Sequence, residues 1–152
     1  MIRVQKEDFD PGALIAALTA GRRDVGGVAS FIGLVRERVG DTHLRAMTLE
    51  HYPGMTERKL AEIDAEANRR WPLQGTLVIH RHGRLLPGER IVLVATASAR
   101  RAAALEACQF LIDWLKTKAP FWKHEETAEG GHWVEAKESD EAAERRWTGK
   151  QR

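Results

Sequence analysis

The sequence predicts an α+β fold in one domain spanning residues 1–152, with a mixed or antiparallel sheet, three main helices and a short C-terminal helix. Three observations lead there. Strand-like runs are interrupted by helix-like runs along the chain, and one long helical stripe follows two strands joined by a Pro-Gly turn. No internal repeat, low-complexity tract or linker divides the 152 residues.

Ile2 and Val4 start a short strand. Asp10 and Pro11 read as an N-cap and first helical residue, and Leu14, Ile15 and Leu18 make an apolar stripe that stops at Gly21. Val25 to Val35 is rich in β-branched and small apolar residues, and Leu44 to Leu49 alternates as a strand expected to pair with it. The loop between them carries Arg36, Glu37, Arg38, Gly40 and Asp41. Thr56 is the expected N-cap of a second helix, with Met55 and Leu60 as a hydrophobic staple. Leu60, Ile63, Ala67 and Trp71 continue one face until Pro72.

Thr76 to His82 and Arg90 to Thr96 form two β runs, with Pro87-Gly88 in a type II turn between them. Leu105, Cys108, Ile112 and Leu115 recur at helical spacing, so a third, long helix runs from about Ala99 to Lys118 and closes before Pro120. Trp133 to Ala136 reads as a last strand. Ser139 then caps a short helix with Asp140 and Glu141 in its first turn and Arg145 and Arg146 in its last, matching the macrodipole.

Composition narrows the function classes. A chain this long buries roughly 70% of its unfolded surface and needs no staples. Cys108 is the single cysteine, so it forms no disulfide within the chain and no thiolate metal site by itself. The longest nearly apolar run, Ile91 to Ala97, falls far short of the roughly 20 residues that cross a bilayer. Lys6, Glu7 and Asp8 interrupt the start before a signal-peptide core develops, so the expected location is cytoplasmic. Lys and Arg total 24 against 22 Asp and Glu, and a net charge of +2 does not announce a nucleic-acid binder. The excess is local: Ser98 to His124 holds Arg100, Arg101, Lys116, Lys118 and Lys123 against Glu106 and Asp113.

That local excess suggests an anionic ligand. Arg100 and Arg101 stand in the first turn of the long helix, where the dipole disfavours cations by about 0.3–1 kcal/mol each. Either they cradle a bound phosphate or carboxylate, or they are solvated arginines paired elsewhere. Lys116, Lys118 and Lys123 bracket Ala119-Pro120-Phe121-Trp122. They are dipole-complementing lysines, or one of them is a proton carrier made more acidic by its neighbours. His80 and His82 have a spacing that metals use, but no third ligand stands at a sensible distance. Cys108 reads as a buried structural thiol and the tryptophans as packing residues, with Trp122, Trp133 and Trp147 also candidates to line a groove.

Two longer motifs, Leu49-Glu50-His51-Tyr52-Pro53-Gly54-Met55-Thr56 and Lys116-Thr117-Lys118-Ala119-Pro120-Phe121-Trp122-Lys123, resemble the large, catalytic subunits of molybdopterin synthases. The likeness runs from about Gly26 to Trp147 and includes Phe31-Ile32-Gly33-Leu34-Val35-Arg36, Ile79-His80-Arg81-His82-Gly83 and Trp133-Val134-Glu135-Ala136. The resemblance implies sulfur transfer in molybdenum cofactor synthesis. Cyclic pyranopterin monophosphate receives two sulfurs from the C-terminal glycine thiocarboxylate of a small ubiquitin-like partner. It implies Lys116 and Lys123 as the active-site lysines, Arg36 in the substrate-binding loop, and Arg100 and Arg101 at the substrate phosphate. Leu34, Val35, His124, Glu125 and Lys137 fall at further substrate-contact positions. Members often carry His-Arg where this chain has Arg100-Arg101. No metal and no cofactor is implied. Two other classes remain open: a module binding single-stranded nucleic acid, with Phe121 and Trp122 as stacking surfaces, and an adaptor for an acidic tail.

Arg101 and Lys116 are 15 residues apart on one helix, roughly 22 Å at 1.5 Å per residue. One helix does not bring both ends to a single pterin. Two antiparallel copies in a two-fold dimer do, giving two shared sites and, with a sulfur carrier at each outer end, a heterotetramer.

Overall fold

The computed structural model describes residues 1–134 and 138–148. Its elements, in chain order, are β1 (Ile2–Gln5), α1 (Pro11–Thr19), β2 (Gly27–Leu34), β3 (Arg38–Val39), β4 (Thr42–His51), α2 (Met55–Arg70) and β5 (Leu73–Arg81). There follow β6 (Gly83–Leu85), β7 (Arg90–Ser98), α3 (Arg101–Lys118), β8 (Phe121–Thr127), β9 (Gly130–Val134) and α4 (Glu138–Thr148). The strands form two sheets. The first runs β1-β5-β7-β2 and is mixed, with β1 parallel to β5 and the other pairs antiparallel. The second runs β3-β4-β8-β9, all antiparallel, with β6 also on β4.

Alternation along β5 and β7 divides the core between the two faces of the first sheet. Leu77, Ile79, Leu93 and Ala95 meet Phe9 and the stripe Leu14, Ile15 and Leu18 of α1, which Asp10 caps by accepting from the Ala13 N–H at 3.2 Å. On the opposite face Val78, Val92 and Val94 meet α2 and α3. Helix α3 presents Ala103, Ala104 and Ala107, so its backbone lies close to the strands, and the Thr96 hydroxyl donates to the Ala104 carbonyl at 2.6 Å. Leu105 is 62% exposed, because the buried stripe runs instead through Ala104, Cys108, Leu111 and Leu115.

Helix α4 is fastened across α3. Trp147 is buried edge-on against Trp71 and Phe110, its indole N–H donates to Asp113 at 2.7 Å, and Lys118 pairs with Glu144 at 2.9 Å. Arg70 lies over the rings of Phe110 and Trp114 and donates to the Trp147 carbonyl at 2.7 Å.

Several local expectations are corrected. Leu44 to Leu49 does not pair with the 25–35 strand: β2 pairs with β7, and β4 pairs with β3, β6 and β8. Alternation specifies which face of a strand is buried, not which strand lies beside it, and the Gly40-Asp41 turn folds β4 back onto β3. Thr56 is not the N-cap of α2. Gly54, at φ 86°, turns the chain into the helix, and its N–H is taken by Glu57 at 2.5 Å. Thr56 is the second residue of the helix and fully buried, donating to the Tyr52 carbonyl and accepting from the Tyr52 N–H. Met55 is exposed and forms no staple.

The type II turn holds, with Gly88 at φ 90° and the Glu89 N–H bonded to the Leu86 carbonyl at 3.0 Å. Between the two expected strands lies β6, which crosses to the second sheet. Strand β8 went unforeseen, and the last strand is Gly130–Val134 rather than Trp133 to Ala136, whose final two residues lie outside the described residues. Helix α4 begins at Glu138, so Ser139 is a helical residue and not its cap.

Candidate functional site

Helix α3 must end where Pro120 removes a donor, and the chain leaves it through a bond from the Phe121 N–H to the Ala119 carbonyl at 2.9 Å. It then doubles back as β8 against β4. This reversal brings the last turn of α3 and the inward face of β8 around one cavity of about 460 Å³. Leu34, Val35 and Arg36 enter it from the end of β2, and Lys116 from α3. Lys123 and Glu125 enter from β8. The remaining wall is largely apolar, including Met47 and Leu49 of β4, Leu115 and Phe121, with Asp140 of α4 at its border.

Strand alternation sorts the motif residues. Phe121, Lys123 and Glu125 face the cavity, whereas Trp122, His124 and Glu126 face the opposite side of the second sheet. There the His124 ring meets Trp133 edge-on at 5.0 Å, Tyr52 meets Trp122 at 4.9 Å, and Arg84 pairs with Glu126 at 3.0 Å. Trp122 and Trp133 are exposed rather than core residues, and Trp122 shares no surface with the cavity lysines. That separation takes Trp122, one of the two expected stacking rings, away from the lysines, while Phe121 stays beside them.

Six of the expected site residues thus converge: Leu34, Val35, Arg36, Lys116, Lys123 and Glu125. His124 lies behind the sheet, and Lys137 lies outside the described residues. Arg100 and Arg101 stand at the far end of α3 as its N-cap and first residue, both exposed and outside this cavity. The helix between them and Lys116 is unbroken, so the roughly 22 Å separation holds within one chain.

Glu125 is buried, with His132 Nε2 at 3.6 Å from its carboxylate. Burial pushes the Cys108 thiol up to about 11, and its Sγ lies 3.9 Å from the Val94 carbonyl, so the residue is a core thiol without nucleophilic character. His80, read in the sequence only as half of a metal spacing, lines the cavity instead. His82 falls just past β5, with its ring 4.4 Å from that of His51. The signal available for His80 was a histidine directly after the apolar run Leu77-Val78-Ile79, all of it buried.

A cavity whose wall carries two lysines and an arginine against the carboxylates of Glu125 and Asp140 can bind an anionic substrate and stabilise charge that develops during group transfer. The family model for the MoaE protein matches residues 4–118. The molybdopterin synthase catalytic subunit of Mesorhizobium japonicum is 59% identical over 148 residues, covering 96% of this chain and 92% of that protein. A solved structure of the molybdopterin biosynthesis MoaE protein from Burkholderia ambifaria superposes with a TM-score of 0.83 at 50% identity, covering 97% of each chain. The crystal structure of molybdopterin synthase from Staphylococcus aureus gives 0.80 at 30% identity, covering 87% of this chain and 95% of that one. Sequence motifs, fold and these relatives agree, and the chain belongs to the MoaE protein family.

Proposed function

We propose that this chain is the catalytic subunit of a molybdopterin synthase, a sulfurtransferase that converts cyclic pyranopterin monophosphate to molybdopterin. The sulfur comes from the C-terminal thiocarboxylate of a small ubiquitin-like carrier. The observation that carries the reading is the convergence of Lys116, Lys123 and Arg36 on one apolar cavity. Both reactants are anions, and neither needs a metal to be bound by such a site. Lys116 moves protons or stabilises the negative charge that develops as the thiocarboxylate attacks, and Lys123 assists. Leu34, Val35 and Glu125 form substrate-facing wall. Residues 1–152 act as one domain, since both core clusters are built on the same strands, β5 and β7.

Arg100 and Arg101 serve the substrate phosphate from a second copy of the chain. Support for that copy comes from β2, the last strand of its sheet, where Val28, Phe31, Ile32 and Leu34 are exposed along an unpaired edge. The assembly is a homodimer with a carrier at each outer end. We assign the reaction to the cytoplasm, a reducing compartment suited to a thiocarboxylate donor.

The test is reconstitution. Purified chain, cyclic pyranopterin monophosphate and thiocarboxylated carrier should yield molybdopterin, and Lys116→Ala should abolish it while changing stability by under about 1 kcal/mol. Near-normal turnover by that variant removes Lys116 from the chemistry, and no product from the wild type refutes the reading.

A further inference from the structure

One cavity-lining side chain takes no part in the anion chemistry above. His80 sits in the interior of β5, paired with Val92 across the strand and 4% exposed. Its ring stacks on Phe121 with centroids 3.8 Å apart and planes 18° from parallel. Its Nδ1 lies 2.8 Å from the Arg81 carbonyl oxygen. A carbonyl only accepts, so Nδ1 carries the proton and donates it, which fixes the tautomer. Nε2 is left as a bare lone pair, and among the described residues no protein group donates to it.

Burial, with the Lys116 charge adding to it, pushes the imidazole down to about 3, so the ring is neutral wherever the protein works. Among Lys116, Lys123 and Arg36, which suit anions, the neutral ring is the cavity's acceptor of a different kind. With no proton on Nε2 it offers nothing to a phosphate or a thiocarboxylate, and it is satisfied only by a donor. Of the two reactants in the function proposed above, on which this inference rests, the pterin brings ring N–H groups along with its phosphate.

We infer that His80 determines substrate orientation: its Nε2 accepts a ring N–H of the pterin, while the phosphate stays with the cationic side chains. The Phe121 stack and the Arg81 carbonyl hold the imidazole for that contact, so the ring pays no reorganisation when substrate enters. A pterin turned end for end would face Nε2 with oxygen, lone pair against lone pair, and leave the acceptor unpaired.

The experiment compares wild type with His80→Phe, which keeps the aromatic stack and loses the acceptor, and His80→Gln, whose amide oxygen can accept. Calorimetric titration of cyclic pyranopterin monophosphate into the protein without carrier should show about tenfold weaker binding by His80→Phe and recovery of most of it by His80→Gln. In the reconstituted complex KM should rise by a similar factor, with kcat moving less. Affinity for the thiocarboxylated carrier should stay unchanged. Loss of carrier affinity instead, with substrate binding intact, would mean that Nε2 serves a peptide N–H of the carrier's tail, and would overturn the inference. Wild-type substrate binding by His80→Phe overturns it too.

Nitrogen NMR of histidine-labelled wild type decides the matter even if His80→Phe fails to fold. Saturating substrate should shift the bare Nε2 resonance of His80 and leave its protonated Nδ1 in place, and an unmoved Nε2 overturns the inference. If the wild type binds no pterin at all, the proposed function fails as a whole, an outcome distinct from binding that ignores His80.

Discussion

Arg101→Ala and Lys116→Ala proteins, each nearly silent when assayed well below the KM, should regain activity when mixed and allowed to exchange subunits. The reasoning starts from α3, whose 18 residues run without a break from Arg101 to Lys118. Fifteen residues at 1.5 Å put the two side chains' backbone positions roughly 22 Å apart, too far for one pterin monophosphate to touch both in the same chain. If the arginine of each site comes from the neighbouring copy, a mixed dimer holds one site with both residues intact and one with neither. Such a dimer works at about half the wild-type rate, and random exchange makes about half of all dimers mixed. Recovered activity should therefore approach about one quarter of that of the same mass of wild type. The assay is molybdopterin formation with thiocarboxylated carrier, after exchange has been verified by native mass spectrometry on differently tagged chains. No recovery after verified exchange, or a monomer at the assay concentration, refutes the shared site.

Arg101→Ala by itself should raise the KM for the pterin more than it lowers kcat, because a phosphate contact remote from the reacting carbons contributes mainly uniform binding; a fall in kcat at constant KM would move Arg101 to the reacting centre. Acid should destabilise the fold in a way traceable to His80. The unfolded imidazole binds a proton near its ordinary 6.5 and the folded one only at about 3, so between those limits the unfolded state holds more protons and stability falls as pH drops. Urea midpoints at pH 7 and pH 4.5 should accordingly differ less for His80→Phe than for wild type, and equal differences would remove His80 from the acid response.

Much of the fold was legible because its elements obey local rules. The Asp10-Pro11 start, the stripe of α2 ending at Pro72 and the Pro87-Gly88 turn each have a side-chain or dihedral reason that acts within a few residues. Strand β8 was missed because the site occupies it. Its inward positions are Phe121, Lys123 and Glu125, so the period of two is present but not written in apolar residues. The same strand explains the mixed outcome at the motif: neighbours in sequence such as Lys123 and His124 necessarily point to opposite faces. Pairing of β4 with β8 depends on chain reversal after α3, a tertiary event that no local pattern encodes. His80 escaped notice as a binding residue because its value lies in the bond Nδ1 makes to its own neighbour's carbonyl, visible only once the strand is built.

Strand β6 is only three residues long, yet it leaves the first sheet after Arg81, bonds to Met47, Thr48 and Leu49 of the second, and returns as β7. It acts as a seam stitched through both cloths. The two sheets cannot swing apart along that line without breaking a ladder whose partner strand also carries cavity wall. Any give in the chamber belongs to the other margin, where Asp140 stands and the wall is fastened by side chains of α4 on α3 rather than by backbone bonds. In the proposed reaction a carrier tail and a pterin occupy the chamber together. Stiffness on one margin and compliance on the other let the chamber admit them without losing the register of its lysines.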